Sequence, residues 1–139
     1  MNDIDIEISE VGPRDGLQSI KTIMPFEDKK AWIKAEFEAG VGEIEVGSLV
    51  SPKLLPQMAD TFEVAQYAAS LPGLTVAVLA PNLRGLQRAV EAGADKVAIP
   101  FSMSESHSLK NLNKTHAQML IEISNCVEFL KHITSKPAP

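Results

Sequence analysis

The sequence predicts an α/β fold of parallel βα units, and three observations point there. Strand signals and helix signals alternate along the chain four times, an order that gives a parallel sheet. Residues 74–80, Leu-Thr-Val-Ala-Val-Leu-Ala, are apolar almost without interruption, the pattern of a strand buried on both faces. An internal echo is the third: Glu38-Ala39-Gly40-Val41 leading into Ile44 and Val46 matches Glu91-Ala92-Gly93-Ala94 leading into Val97 and Ile99. Helix end, glycine and apolar strand recur in one order, as in a fold built from repeated units.

Each element has its own warrant. Ile4, Ile6 and Ile8 alternate with Asp3, Asp5 and Glu7, the period of a half-buried strand, which Gly12-Pro13 stops. Pro25 opens a helix with Glu27 and Asp28 in its first turn, where acids complement the dipole. Phe26, Ile33, Phe37 and Val41 form its apolar face and Gly40 closes it. A strand follows at residues 43–47. A second helix starts near Pro56, presents Met58, Phe62, Ala65 and Ala69 on one side, and breaks at Pro72-Gly73. After the strand at 74–80, Asn82 caps a helix carrying Leu83, Leu86 and Val90, which Gly93 ends. A fourth strand runs from Lys96 to Ile99. The last helix begins near Thr115 with Leu120, Ile123, Val127 and Leu130 on one stripe, and the proline-rich tail at 135–139 cannot continue it.

Composition narrows the class. With 139 residues, 45% apolar and 22% charged, the chain is long enough for one domain, residues 1–139, with a sizeable core. A net charge of −5 without a basic cluster argues against nucleic acid or an anionic membrane as partner. Cys126 is the single cysteine, so neither a disulfide framework nor a Cys-based zinc site is expected. Met1 leads straight into Asp3, Asp5 and Glu7, unlike a signal peptide, and the apolar runs are too short to span a bilayer. A reduced, cytoplasmic setting is the expectation.

Four units admit two architectures: a small open sheet with helices on both faces, or the first half of an eight-unit barrel, whose length of about 250 residues is near twice this chain. Glu45 favours the barrel. It lies between Ile44 and Val46 and so points away from the helix-facing side; a buried carboxylate needs a partner, and Arg14 on the neighbouring strand end is the obvious one. An exposed sheet edge would accommodate Glu45 equally well.

The chemistry concentrates at residues 10–18, Glu-Val-Gly-Pro-Arg-Asp-Gly-Leu-Gln, on the loop after the first strand. Polar site residues of α/β folds gather at such carboxyl ends. Asp15 could hold a hard divalent cation through oxygen, and the Arg14 guanidinium could stabilise negative charge developing on a substrate oxygen. A surface Arg-Asp turn without chemistry gives the same spacing. A receiver-type signalling module, the non-enzyme rival, wants an Asp after the third strand, where this chain has Pro81-Asn82; no Gly-rich nucleotide loop is present either.

Residues 10–18 resemble the opening motif of the 3-hydroxy-3-methylglutaryl-CoA lyase family, bacterial type. The likeness continues through Ile44-Glu45-Val46-Gly47-Ser48, Val50-Ser51-Pro52-Lys53, Pro56-Gln57-Met58-Ala59-Asp60, Ala80-Pro81-Asn82-Leu83 and Ser104-Glu105 with Asn111. It covers nearly the whole chain, in order and at family spacing. The resemblance implies the N-terminal half of a TIM (β/α)8 barrel that cleaves 3-hydroxy-3-methylglutaryl-CoA to acetyl-CoA and acetoacetate with Mg²⁺ or Mn²⁺. It makes Asp15 a metal ligand and Arg14 the group that stabilises the enolate oxygen. Glu45 would hold Arg14, Gln18 and Ser48 would line the substrate pocket, and Asn82, Ser104 and Glu105 would form its rim.

The same resemblance marks departures. The family takes a His-x-His ligand pair from the second half of its barrel and uses a Gly-rich loop with a reactive cysteine near the active site, and neither motif occurs here: His107, His116 and His132 are never two apart, and Cys126 reads as a packed, inert thiol within a helix. The metal site is therefore expected to be incomplete in this chain, and the chain alone inactive. Gly47 and Leu49 stand where the family tends to carry Thr and Phe, and Pro100, Phe101 and Met103 where it has small residues. A related aldol or Claisen lyase on another acyl-CoA, or a catalytically dead half-barrel serving as an assembly partner, are the alternatives. A half-barrel exposes an inner sheet face and two strand edges, so self-association or a second-half polypeptide is expected as partner.

Overall fold

The computed structural model describes residues 6–134. The chain runs β1 (Ser9–Glu10), a wide turn (Gly12–Gly16), α1 (Phe26–Glu38), β2 (Glu43–Ser48), a 3₁₀ turn (Pro56–Met58), α2 (Thr61–Ala69), β3 (Thr75–Leu79), α3 (Leu83–Glu91), β4 (Lys96–Ala98), α4 (Glu105–Leu112) and α5 (His116–Thr134). The four strands are all parallel and lie in sequential order, β1-β2-β3-β4. That order decides between the two architectures. A doubly wound sheet places β1 in its interior and covers both faces; here β1 is an edge.

The core sits on one face only. Ile44 and Val46 of β2, Val76 and Val78 of β3, Ile33 of α1, and Val64 and Ala68 of α2 are buried in one cluster, with Phe26, Phe37 and Val41 packed against it. The opposite face presents Ser9, Glu43, Glu45, Ala77, Lys96 and Ala98 around a shallow concavity. Register explains the division: Glu45 pairs with Ala77 and Ala77 with Lys96, while Ile44 pairs with Val76 on the helix side. A bulge between Glu45 and Gly47 then shifts β2 against β3. Gly47 is required there, because a Cβ would run into the Thr61 side chain. Thr61 Oγ1 accepts the Ser48 backbone N–H at 3.1 Å and donates to the Met58 carbonyl at 2.8 Å, tying the end of β2 to the start of α2.

Several expected elements are corrected. The first strand is confined to Ser9–Glu10 among the described residues; Ile6 and Ile8 are 80% and 78% exposed, and Ile4 lies outside the described residues. The alternation is genuine, but β1 is the sheet edge and none of the described residues covers its outer side. The helix from Pro56 divides into a 3₁₀ turn and α2, which buries Ala65 and Ala68 and leaves Ala69 exposed. Val90 of α3 is likewise exposed. An unforeseen helix, α4, follows β4; Ser104 caps it and Asn113, at φ 53°, ends it in the left-handed region. Its sequence is polar and carries no apolar stripe to announce it. In α5 the buried residues are Met119 and Cys126, while Leu120, Val127 and Leu130 are exposed. The helix is rotated because Glu122 is drawn inward, accepting the Leu83 N–H at 2.7 Å and the Lys114 ammonium at 2.6 Å. Thr115 and Gln118 close a reciprocal cap at its start.

That half-buried acid has a pH consequence. Lys114 and the Leu83 N–H hold the Glu122 carboxyl below its ordinary value of 4.5, and Lys96 does the same for Glu43. Their stabilisation is present above the unfolded-state pKa and is lost as pH falls through the lowered folded-state values. Burial pushes the Glu36 carboxyl upward, which works in the opposite sense. Urea midpoints taken down from neutral pH through 4.5 will therefore fall more steeply for the wild type than for Glu122→Gln. Equal slopes would refute the linkage.

Candidate active site

The wide turn after β1 aims the first two site residues. Val11 O accepts both Arg14 N, at 3.1 Å, and Asp15 N, at 2.7 Å, winding the chain back at the carboxyl end of the strand. Gly12 permits this, since a Cβ would meet Glu10 Oε1 at 2.7 Å and the Trp32 ring at 2.8 Å. Arg14 then reaches across to β2. Its Nε donates to Glu45 Oε2 at 2.8 Å and its Nη2 lies 2.7 Å from the same oxygen, while Nη1 donates to Asp15 Oδ1 at 3.1 Å. One guanidinium thus bridges two carboxylates, a deep one and an open one: the side chains of Glu45, Arg14 and Asp15 are 8%, 19% and 63% exposed.

Both guanidinium contacts fall on a single oxygen of Glu45. Glu45 Oε1 is buried without a partner, and so are Ser48 Oγ and Gln18 Oε1. Buried polar atoms are ordinarily paired, so these oxygens call for donors such as a ligand hydroxyl, water or a cation. Among the described residues no three His, Cys, Asp or Glu side chains converge as a metal cage. Asp15 presents one open carboxylate there, and the described residues do not build a cage around it.

The other sequence-predicted residues lie apart. Asn82 Oδ1 accepts the Gly85 N–H at 2.9 Å and caps α3. It lines a separate cavity of about 430 Å³ with Leu49, Arg84, Arg88, Asn111 and Lys114. Ser104 bonds Ser106 and caps α4, and Glu105 is an exposed residue of that helix's first turn. His107 is held within α4's own surroundings by Ser102 and Asn111, at 2.9 and 2.7 Å. His116 stacks on Phe101 and contacts the Ser102 carbonyl, which uses Phe101 to fix the β4–α4 loop. Cys126 is fully buried, the packed thiol expected, and burial raises its pKa.

Sequence reasoning missed the clamp beneath the site. Lys29 of α1, only 3% exposed, donates to Gln57 O at 2.7 Å and to Asp60 Oδ1 at 2.5 Å, and Gln57 Nε2 donates to the Ile20 carbonyl. The loop after β2 is thereby fastened to the loop that carries Gln18. A signal was available, since Lys29 interrupts the apolar stripe between Phe26 and Ile33.

A family model described as HMGL-like matches residues 5–138. The chain belongs to the HMGL-like family. It is 47% identical over 116 residues to a mitochondrial hydroxymethylglutaryl-CoA lyase of Arabidopsis thaliana, covering 84% of this chain and 25% of that protein. It is 41% identical over 115 residues to a hydroxymethylglutaryl-CoA lyase of Bacillus subtilis, covering 83% and 38%. The solved HMG-CoA lyase of Bacillus subtilis superposes with a TM-score of 0.86 at 36% identity, over 93% of this chain and 43% of that one. A lyase of Acinetobacter baumannii, solved with coenzyme A and 3-methylmalate, superposes at 0.81 with 38% identity, over 91% and 41%. This HMGL-like chain thus spans less than half the length of these relatives, and its architecture is the N-terminal half of a TIM barrel.

Proposed function

We propose that this chain is the Arg-Asp-Glu arc of a carbon–carbon lyase that cleaves 3-hydroxy-3-methylglutaryl-CoA to acetyl-CoA and acetoacetate. The observation that carries the reading is the Arg14 guanidinium, gripped by Glu45 and Asp15 at the carboxyl end of the sheet beside buried oxygens that lack donors. Breaking the bond leaves an enolate on the departing thioester. Arg14 is the residue suited to it: Glu45 fixes its plane from below, so its remaining N–H groups meet the oxygen without reorganising as charge develops. Glu45 acts through Arg14 and is a positioning residue. Gln18 and Ser48 offer acceptors for the hydroxyl of an acyl-CoA substrate, and Asn82, Ser104 and Glu105 belong to an outer rim. A divalent cation, Mg²⁺ or Mn²⁺, goes with this reading, with Asp15 as one ligand and the others supplied from outside the described residues. The half-barrel, residues 1–139, is one partial domain, acting in a soluble compartment; no described helix is long and apolar enough to cross a membrane.

A related aldol-type lyase on a bulkier acyl-CoA is the second reading. Phe101 and Met103, 39% and 87% exposed on the β4–α4 loop, favour it by offering apolar surface to a longer chain. A relative in Pseudomonas aeruginosa, 45% identical over 108 residues, is named a 3-hydroxy-3-isohexenylglutaryl-CoA/hydroxy-methylglutaryl-CoA lyase. The test is turnover with Mn²⁺ by this chain alone and by this chain co-expressed with the remaining barrel segment of the Bacillus subtilis relative. Acetoacetate is expected only from the combination. Robust turnover by the chain alone, or none on any 3-hydroxyacyl-CoA by a folded combination, sinks the proposal; turnover confined to longer esters selects the second reading.

A further inference from the structure

Arg14, Arg84 and Arg88 are the arginines of this chain. Arg14 bridges two carboxylates, whereas Arg84 and Arg88 meet none among the described residues. Both line the cavity of about 430 Å³. They stand one turn apart on α3, at i and i+4, so two like charges share one flank of the helix at a cost in stability. Arg84 lies in the first turn, at the positive end of the helix dipole, and no acid accompanies it there. The Arg88 guanidinium lies 5.4 Å over the Phe62 ring of α2, so an aromatic face fixes it where a carboxylate ordinarily would. Lys114 lines the same cavity, but Glu122 answers its charge at 2.6 Å. No Asp or Glu lines the cavity, although the whole chain carries a net charge of −5.

The remaining lining is largely apolar: Leu49 is buried, Leu112 is half-buried, and Leu54 is 75% exposed. The walls come from the β2–α2 loop, the start of α3 and the end of α4, and neither edge strand contributes. Leu49 belongs to the helix-side core, and none of Arg14, Asp15, Gln18, Glu45 or Ser48 borders the cavity. We propose that this cavity binds a small phosphate monoester, at a site separate from that of Arg14. The phosphate sits between the Arg84 and Arg88 guanidiniums, and the apolar body of the ester rests on Leu49, Leu54 and Leu112. A planar guanidinium forks onto two phosphate oxygens. A dianion held between two of them also cancels the repulsion that α3 carries on its own, which a carboxylate, with one charge, does only in part. The volume falls within the range of about 300–1,000 Å³ that holds a small organic ligand. The inference stands whether or not the lyase reading holds.

Phenyl phosphate titrated calorimetrically into the completed barrel, in phosphate-free buffer of low ionic strength, is the test. Binding is expected at this site, about tenfold tighter than that of inorganic phosphate, which has no ring to bury. Arg84→Gln weakens it by about tenfold, and Arg84→Gln/Arg88→Gln abolishes it. Arg84 is exposed, so the single variant keeps its helical signal and melting temperature. Leu54→Ser weakens phenyl phosphate by about threefold and leaves inorganic phosphate unchanged, which separates a built cavity from loose charge attraction. Arg14→Met leaves the binding as it is. A folded wild type that binds no phenyl phosphate, or an Arg84→Gln variant that binds it as tightly, overturns the proposal. So does inorganic phosphate binding as tightly as the ester, which reduces the site to surface charge. Displacement of phenyl phosphate by coenzyme A also overturns it, and would return the cavity to the rim of the substrate site.

Discussion

Arg14→Met in the completed barrel is expected to lower kcat by about a thousandfold, the scale of losing a preorganised donor to a developing oxyanion. The substitution removes the one cation that bridges Glu45 and Asp15. It also strands Glu45, whose side chain is 8% exposed, as a buried carboxylate without its cation, at a cost of about 3 kcal/mol. Activity and stability would therefore fall together, and a merely structural role could account for both. Arg14→Met/Glu45→Leu separates them. With neither charge left, stability returns most of the way, because a buried pair replaced by apolar groups is close to neutral, yet turnover stays at the level of the single variant. Arg14→Lys keeps the charge and loses the planar fork that spans two carboxylates, so about a hundredfold loss is expected with stability nearly intact. The outcome that defeats the reading is recovery of turnover in the double variant.

The legible part of this molecule is what local pattern encodes. The Gly40 and Gly93 helix ends, at φ 96° and 82°, the Asn82 cap and the strand at Thr75–Leu79 depend on residues within a turn or two of each other, and the structure keeps them. The Arg14–Glu45 pairing is also readable, because period-two alternation forces Glu45 away from Ile44 and Val46 onto the face that Arg14 overlooks. What fails depends on distant partners. Apolar spacing selects one stripe of α5, but the rotation of the helix is set by Glu122 bonding Leu83 and Lys114. The strand expected through Ile6 and Ile8 needs a neighbour to its other side, and none of the described residues supplies one. Gly47 registers in the sequence only as a departure from a family pattern; its cause, the Thr61 side chain occupying the space of a Cβ, lies across the β2–α2 loop. Of the site residues, Arg14, Asp15 and Glu45 gather, whereas Asn82, also beyond a strand end, turns to cap α3, and Ser104 and Glu105 go to a helix that polar composition conceals.

Asp60→Ala should be the most damaging single change to stability outside the site, lowering it by about 3 kcal/mol. Lys29 is almost fully enclosed, and its ammonium has Asp60 as its counter-charge and the Gln57 carbonyl as its other acceptor. Deleting the carboxylate leaves a buried cation with a single neutral acceptor, the expensive way to break a buried pair. Lys29→Met breaks the same pair from the other side and should cost only about 1 kcal/mol. Methionine refills the path of the lysine stem, and Asp60, whose side chain is 29% exposed, can turn to water. The order of the two singles is thus set by which charge is left in the dark. Combining them should return stability close to that of Lys29→Met, since no unpaired cation remains to be hydrated. Urea midpoints of the four proteins measure the cycle, and Lys29→Met proving as costly as Asp60→Ala would show that the clamp works by packing rather than charge. Because Gln57 also holds the Ile20 carbonyl, Asp60→Ala should further speed proteolysis within residues 51–58 and loosen the loop bearing Gln18, so that damage from below β2 reaches the mouth of the barrel.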